Sequence, residues 1–308
     1  MKVGALAFLR SRIRGLTEWA TAWRLFMVGR TLIAVAQLTI YLFTPLAFLT
    51  PQVGGVTREQ HCAGPLQSWN LICIGLPPDL IRALCVAVLL LVISGFVPRW
   101  TGLVHLYIAL STASGLTLVD GGESAAVVAL WWIAAICLFD HRRNGWSGAS
   151  PKHFAETASR PWWVGIPHAA AMALKIQCSI IYLHSATAKF GTDAWVDGSA
   201  IYYVTRMEMF GVSGPLGSLA LAITASPLGS FVITFGSIAI EIAIAVLIWV
   251  RGKARIVAVA LSSALHLAII ALIGIGSFGL IMIGLVFTSA FAADLFPTGR
   301  KTAVRMTT

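Results

Sequence analysis

Long apolar runs separated by short polar connections limit what this chain can fold into more than any other feature. Several runs approach or exceed the ~20 residues that an α-helix needs to cross a bilayer. Only 11% of the residues are charged, whereas soluble domains contain about 25%. Backbone polar groups in hydrocarbon must be hydrogen-bonded within the protein, and a helix achieves this within one segment. The sequence therefore predicts an all-α, polytopic membrane helical bundle.

The apolar runs predict about eight transmembrane helices. The predicted spans are about 25–49, 79–98, 102–119, 125–140, 162–188, 229–250, 256–275 and 278–295. A shorter run, Leu216–Ala225, lies between two prolines and is too short to cross. We expect it to lie in the membrane interface or to re-enter the bilayer.

Residues 1–24 differ from the runs that follow, because apolar side chains recur there between Arg10, Arg12 and Arg14. That pattern is typical of an amphipathic basic helix lying in the membrane interface. We therefore divide the chain into this interfacial helix, a transmembrane bundle over residues 25–295 and a basic cytoplasmic tail over residues 296–308.

Basic residues collect on one side of the predicted bundle. With the amino terminus in the cytoplasm, most Lys and Arg residues fall in cytoplasmic connections, whereas Asp120, Glu123, Asp193, Asp197 and Glu208 fall outside. This bias predicts that both termini are cytoplasmic in a multi-pass protein of the plasma membrane, which is the inner membrane in a bacterium. The net charge of +10 is spread over short connections, so membrane lipid is an expected partner and nucleic acid is not.

Two of the five cysteines, Cys62 and Cys73, fall in a connection predicted to face outward. They can form a disulfide there or remain unpaired. The other three lie within spans and are expected to be packing residues. The chain has no CxxC, HExxH, P-loop, dinucleotide or haem-attachment pattern. No metal site is predicted, because the sequence shows no convergent set of ligands.

Ionisable side chains occur well inside several spans, where a charge costs about 2.5–3.5 kcal/mol. Lys175, Glu241 and His266 are such residues. Opposite charges in hydrocarbon should pair or line a cavity, so we predict that these three side chains point into a common interior. That interior could serve chemistry or transport, or it could be an interhelical clamp. His105 is expected near a span end, with its side chain reaching the interface.

Polar residues also form stripes along the fifth span. Residues seven apart lie on nearly the same helix face, so Tyr182 and Lys189 follow Lys175 along one stripe. Gln177 and His184 share a second stripe. These side chains are expected either to line a pocket or to bridge neighbouring helices.

Lys189 ends this span just before a glycine turn. Partial burial there would favour the neutral amine, which is the form that removes a proton. The alternative is an anchor that reaches the lipid headgroups. Trp195, Asp197 and Tyr202 follow the turn, and they suit either a ligand wall or the aromatic belt at the interface.

This half of the chain resembles the horizontally transferred transmembrane (HTTM) domain. The residues that carry the resemblance are Gln177, Tyr182, Ser185, Lys189, Trp195, Gly198, Glu241, His266 and Phe278, within residues 170–290. Vitamin K-dependent gamma-carboxylases share this domain with SdpB-like proteins, the B component of the sporulation-delaying peptide toxin system. The first half of the chain is similar in its span layout alone.

The resemblance implies chemistry at the outer face. In the carboxylases the lysine at the position of Lys189 belongs to a motif that deprotonates a reduced quinone. Carried over, Lys189 is the catalytic base, and Glu241 and His266 are catalytic residues beside it. The other implied pocket residues are Lys175, Gln177, Tyr182, His184, Trp195, Asp197 and Tyr202. A reduced, vitamin K-like quinone is the implied cofactor.

The chain ends shortly after the last span, without the large outward domain of the carboxylases. It is therefore more similar to the toxin-system component, which implies a membrane protein that matures an exported peptide with a partner protein. Whether it is itself a quinone-dependent enzyme of the carboxylase or epoxidase kind is left open. A transporter or a structural subunit of a membrane complex is the alternative.

Overall fold

A computed structural model describes residues 2–45, 48, 55, 58–116, 120–147, 161–208, 212 and 214–296, and among these the side chains of 2–18, 58–59 and 161–164 are not described. Within these ranges the regular structure is helical, as the sequence predicted. The helices are α1 (Lys2–Phe43), α2 (Arg58–His61), α3 (Pro65–Trp69), α4 (Pro78–Ile93), α5 (Pro98–Gly115), α6 (Gly121–Cys137), α7 (Pro161–Lys189), α8 (Asp193–Val196), α9 (Ala200–Val204), α10 (Gly214–Ala225), α11 (Pro227–Leu247), α12 (Lys253–Ile273) and α13 (Gly276–Phe291), followed by a 3-10 turn at Ala292–Leu295.

Five helical segments among the described residues are long and apolar enough to cross a membrane. They are Trp19–Phe43, Gly165–Lys189, Pro227–Leu247, Lys253–Ile273 and Gly276–Leu295. Helices α4, α5 and α6 lie where three further spans were predicted, but they have only 16, 18 and 17 residues. The protein is thus a membrane protein with five clear candidate spans, and the predicted number of eight is not confirmed.

The amino-terminal helix is continuous from Lys2 to Phe43. The boundary predicted at residue 24 is therefore not a break in the helix, and the apolar segment begins at Trp19. The predicted basic tail over residues 296–308 lies outside the described residues, except for the buried Phe296.

Helix α1 packs against α13 at the centre of the bundle. Gly29 and Gly284 face each other there, and a Cβ atom built on either glycine would lie 2.6 Å from the carbonyl oxygen of the other. Two backbones can approach this closely only where both residues lack a side chain. This contact joins the first part of the chain to the last.

Proline and short polar residues mark where the helices begin. Helices α4, α5 and α11 each begin at a proline, whose missing N–H group needs no acceptor in the first turn. At α6 the Asp120 side chain accepts hydrogen bonds from the backbone N–H groups of Gly122 and Glu123, at 2.8 and 3.1 Å. Helix α6 packs against α5 and α7.

Cys62 and Cys73 form a disulfide bond, with their Cα atoms 5.2 Å apart. It links the turn after α2 to the turn after α3. The same connection is tied to α5, because the Asn70 amide donates to the carbonyl oxygen of Ser111 at 3.0 Å and to the hydroxyl of Ser114 at 2.9 Å. Of the two alternatives that the sequence left open for these cysteines, paired or unpaired, the structure has the paired one.

Candidate functional site

A short ion pair joins α7 to α11. The ammonium nitrogen of Lys189 lies 2.7 and 2.6 Å from the two carboxylate oxygens of Glu241. The two side chains are only 16% and 12% exposed. Lys189 is the last residue of α7, and Glu241 lies within α11.

Ser185, one helical turn before Lys189 on α7, contacts both members of the pair. Its hydroxyl donates to Glu241 Oε1 at 3.0 Å, and Lys189 Nζ donates to that hydroxyl at 2.9 Å. Lys189 Nζ also lies 5.1 Å from the centre of the Trp195 ring, on α8. The ammonium group is therefore held between a carboxylate, a hydroxyl and an aromatic face, which are all groups that stabilise a positive charge.

The pair lies within the length of α11 and not at its end. Glu241 is fourteen residues beyond Pro227, the start of α11, which is about 21 Å along a helix axis. The segment after α7 packs on the part of α11 that lies between its first residue and Glu241. There the Ser230 hydroxyl donates to the Gly198 carbonyl at 3.0 Å, and the Ile201 N–H donates to the Thr234 hydroxyl at 3.3 Å.

A second group of polar side chains lies beside the pair, where α7 meets α12. The Tyr182 hydroxyl lies 3.0 Å from the Ser262 hydroxyl. His266 packs with its ring edge-on to Tyr182, at 6.0 Å between ring centres, and 5.7 Å from the Phe278 ring. Nδ1 of His266 lies 2.9 Å from the Ser262 carbonyl oxygen, which can only accept. The neutral ring therefore carries its proton on Nδ1 and its lone pair on Nε2.

The prediction that Lys175, Glu241 and His266 share one interior is wrong for Lys175. Lys175 is buried, with 5% exposure, but its ammonium group lies 5.6 Å from the centre of the Trp249 ring. It lies fourteen residues before Lys189 on α7, about 21 Å along the axis. Its neighbours are Arg255 and Asp294, so it belongs to the opposite end of the bundle.

The remaining predicted pocket residues do not converge on the ion pair. His184 and Tyr202 are exposed and Gln177 is half-buried. The Arg206 guanidinium stacks 3.9 Å from the centre of the Tyr202 ring. Asp197 is exposed, and its pKa is lowered by the hydrogen bond from the Ser199 hydroxyl, at 2.5 Å, and by that from the Ser199 N–H.

The prediction that His105 reaches an interface is wrong, and Glu123 lies in the first turn of a helix and not in the connection predicted for it. His105 is fully buried in α5, and Glu123 is buried in α6. The short helices α5 and α6 pack against each other. The predicted spans began four residues later than the helices, which put His105 near a span end and Glu123 outside its span.

The comparisons with known proteins concern the same half of the chain as the ion pair. Residues 155–293 match the model of the HTTM domain. This match confirms the resemblance seen in the sequence, and the matched residues include Lys189, Glu241 and His266 but not α1 to α6.

Two Bacillus subtilis proteins are similar to the chain. The uncharacterized protein YitO is 29% identical over 279 residues, which cover 88% of this chain and 87% of YitO. The sporulation-delaying protein SdpB is 31% identical over 201 residues, which cover 63% of this chain and 58% of SdpB. No solved structure matches the chain.

Proposed function

We propose that this protein acts in the plasma membrane to mature an exported peptide together with a partner protein. Its proposed reactive site is the Lys189–Glu241 pair, which faces the outer side and takes a proton from an apolar substrate. That substrate is either the peptide itself or a reduced quinone-type lipid. The observation that carries the proposal is the short contact between an ammonium and a carboxylate, both nearly buried.

The chemistry of the pair supports a role in proton transfer. The Lys189 ammonium donates to both carboxylate oxygens of Glu241, so a proton already lies between the two groups. Transfer of one proton from Lys189 to Glu241 removes both charges, and a buried site reduces the cost of that neutral state relative to the ion pair. The amine can then accept a proton from a substrate hydroxyl, and the resulting ammonium lies beside the new oxyanion. The base is thus the pair, with Lys189 as its reactive member.

His266, on α12, supports the proposed role of the pair in proton transfer. Its Nδ1 is held by the Ser262 carbonyl, which leaves Nε2 as the acceptor in the neutral ring. Tyr182 and Phe278 orient that ring. We assign His266 a positioning role next to the pair.

The similar proteins support the proposed role in the maturation of an exported peptide. SdpB is named a sporulation-delaying protein, and the chain is similar to 58% of its length. The transporter alternative depended on a path through Lys175, Glu241 and His266. Lys175 lies about 21 Å along α7 from Lys189, the partner of Glu241, which is about two-thirds of a membrane thickness and weakens the case for that path.

The test uses two replacements of Lys189 in the natural host. Lys189→Arg keeps a positive charge next to Glu241 but cannot supply a neutral amine, since a guanidinium does not lose its proton in proteins. Lys189→Ala removes the charge as well. We expect the mature peptide in the growth medium, measured by mass spectrometry, to fall at least 100-fold in both variants.

Lys175→Ala is the matched control, because it removes a buried lysine from the same helix at the other end. It should retain peptide production if the variant reaches the membrane in normal amount. Full production by Lys189→Arg would overturn the proposed base, since the ion pair would then serve only to hold α7 and α11 together.

A further inference from the structure

One face of α7 is left uncovered by the rest of the described chain. Helix α7 packs against α6, α11 and α13, and a stripe of exposed side chains runs along its remaining side. We call this stripe the open face of α7, and it comprises Ile176, Ile180, Leu183, His184 and Thr187. At 100° per residue, these five side chains lie within an arc of about 100°. The half-buried Gln177 lies at the edge of that arc.

The open face includes a histidine at the depth of the hydrocarbon. Ser185, which follows His184, donates from its hydroxyl to Glu241 Oε1 at 3.0 Å. Glu241 lies fourteen residues from the start of α11 and six from its end, which is about 21 and 9 Å along the axis. Helix α11 is long enough to cross a membrane. His184 therefore lies within the membrane and not among the lipid headgroups.

Two polar side chains on or beside the open face lack a hydrogen-bond partner. Neither the His184 ring nor the Gln177 amide makes a hydrogen bond to another described residue. Thr187 differs, because its hydroxyl donates to the Leu183 carbonyl of its own helix at 2.9 Å. Lipid tails offer no donor or acceptor, so an unpartnered polar side chain facing them is costly. The open face thus favours a protein partner with polar side chains at the same depth.

A second copy of this chain is such a partner. Two copies inserted in one membrane have the same orientation, so a two-fold contact between them brings the two α7 helices together in parallel. Each His184 then lies level with the His184 of the other copy. A neutral imidazole donates from one nitrogen and accepts at the other, and an amide does both, so each side chain can bond to its own kind. The open face is therefore complementary to itself.

We propose that the protein forms a parallel homodimer through the open face of α7, with His184 and Gln177 hydrogen-bonded across the interface. Ile176, Ile180 and Leu183 supply the apolar packing around these bonds. The interface borders the proposed reactive pair, because Ser185 contacts both Lys189 and Glu241. The proposal does not rest on the chemistry of that pair, since its tests measure association alone.

Cysteine cross-linking in the host membrane tests where the two copies meet. Ile180→Cys places a thiol on the open face, and Leu267→Cys places one on the surface of α12. The two native side chains are equally exposed, at 52% and 53%. We expect a short bismaleimide to give at least fivefold more adduct of twice the chain mass with Ile180→Cys. Equal yields, or an adduct that contains a different protein, would overturn the proposal.

Replacement of the polar side chains tests what holds the copies together. Energy transfer between two differently labelled copies in detergent micelles gives the dissociation constant of the dimer. An average interhelical hydrogen bond in a membrane changes such a constant about threefold. We therefore expect His184→Leu to raise it about threefold, and His184→Leu with Gln177→Leu about eightfold.

His184→Gln is the matched control, because it keeps a donor and an acceptor on the open face. Its dissociation constant should stay within about twofold of that of the unaltered chain. A double variant that associates as tightly as the unaltered chain would show that His184 and Gln177 do not bond across the interface.

Discussion

Replacement of Glu241 by glutamine tests the ion pair as a structural element, independently of any activity. The change preserves the shape of the side chain but leaves the Lys189 ammonium without its carboxylate. Ser185 and Trp195 remain in contact with the ammonium. The variant therefore isolates the loss of the opposite charge.

Removal of one partner from a buried ion pair costs about 3–5 kcal/mol. Both side chains retain slight exposure, at 16% and 12%, so water can partly solvate the ammonium that is left. We therefore expect the free energy of unfolding of Glu241→Gln to fall by about 2–4 kcal/mol, below the top of that range. Glu208→Gln is the matched control, because it makes the same change at an exposed acid, and we expect its effect to stay within about 0.5 kcal/mol.

The assay is unfolding in mixed micelles with increasing SDS, followed by tryptophan fluorescence. A double-mutant cycle with Lys189→Met gives the coupling energy, which we expect to be about 1–3 kcal/mol. Replacement of both residues, as Lys189→Met with Glu241→Leu, should be less destabilising than Glu241→Gln alone, because no charge is left unpaired. Additive effects in the cycle, or equal effects of Glu241→Gln and Glu208→Gln, would refute the reasoning.

Two further predictions concern packing and covalent structure. Gly29→Ala should destabilise the protein by roughly 1–3 kcal/mol in the same assay, because the added Cβ would lie 2.6 Å from the Gly284 carbonyl oxygen. Gly236→Ala is the control and should not destabilise the protein, because no neighbouring atom lies within 4 Å of the added Cβ. Replacement of both Cys62 and Cys73 by serine should lower stability by about 2–4 kcal/mol, and a maleimide that labels thiols should react at these positions only after reduction. Labelling without a reductant would contradict the disulfide.

Local sequence signals were sufficient to predict the membrane class and most helix positions. The helical prediction for the apolar runs is confirmed. Whether a run can cross the membrane as a helix depends on the length and hydrophobicity of that run alone. The HTTM resemblance was visible from a set of residues spaced along α7, α11 and α12. Helix boundaries were predicted less well, because α5 and α6 begin four residues before the predicted spans and α4 is shorter than its predicted span.

The pairing of charges was decided by the tertiary structure alone. Lys175 and Lys189 lie on one stripe of α7, so helical periodicity could not say which of them meets Glu241. That choice depends on how far α7 and α11 are shifted along each other, which is set by side-chain packing between helices distant in sequence. The same holds for Arg30 on α1, which is buried and donates to the Thr101 hydroxyl on α5. The sequence determined that charges enter the membrane bundle, and the packing of helices determined which of them found a partner.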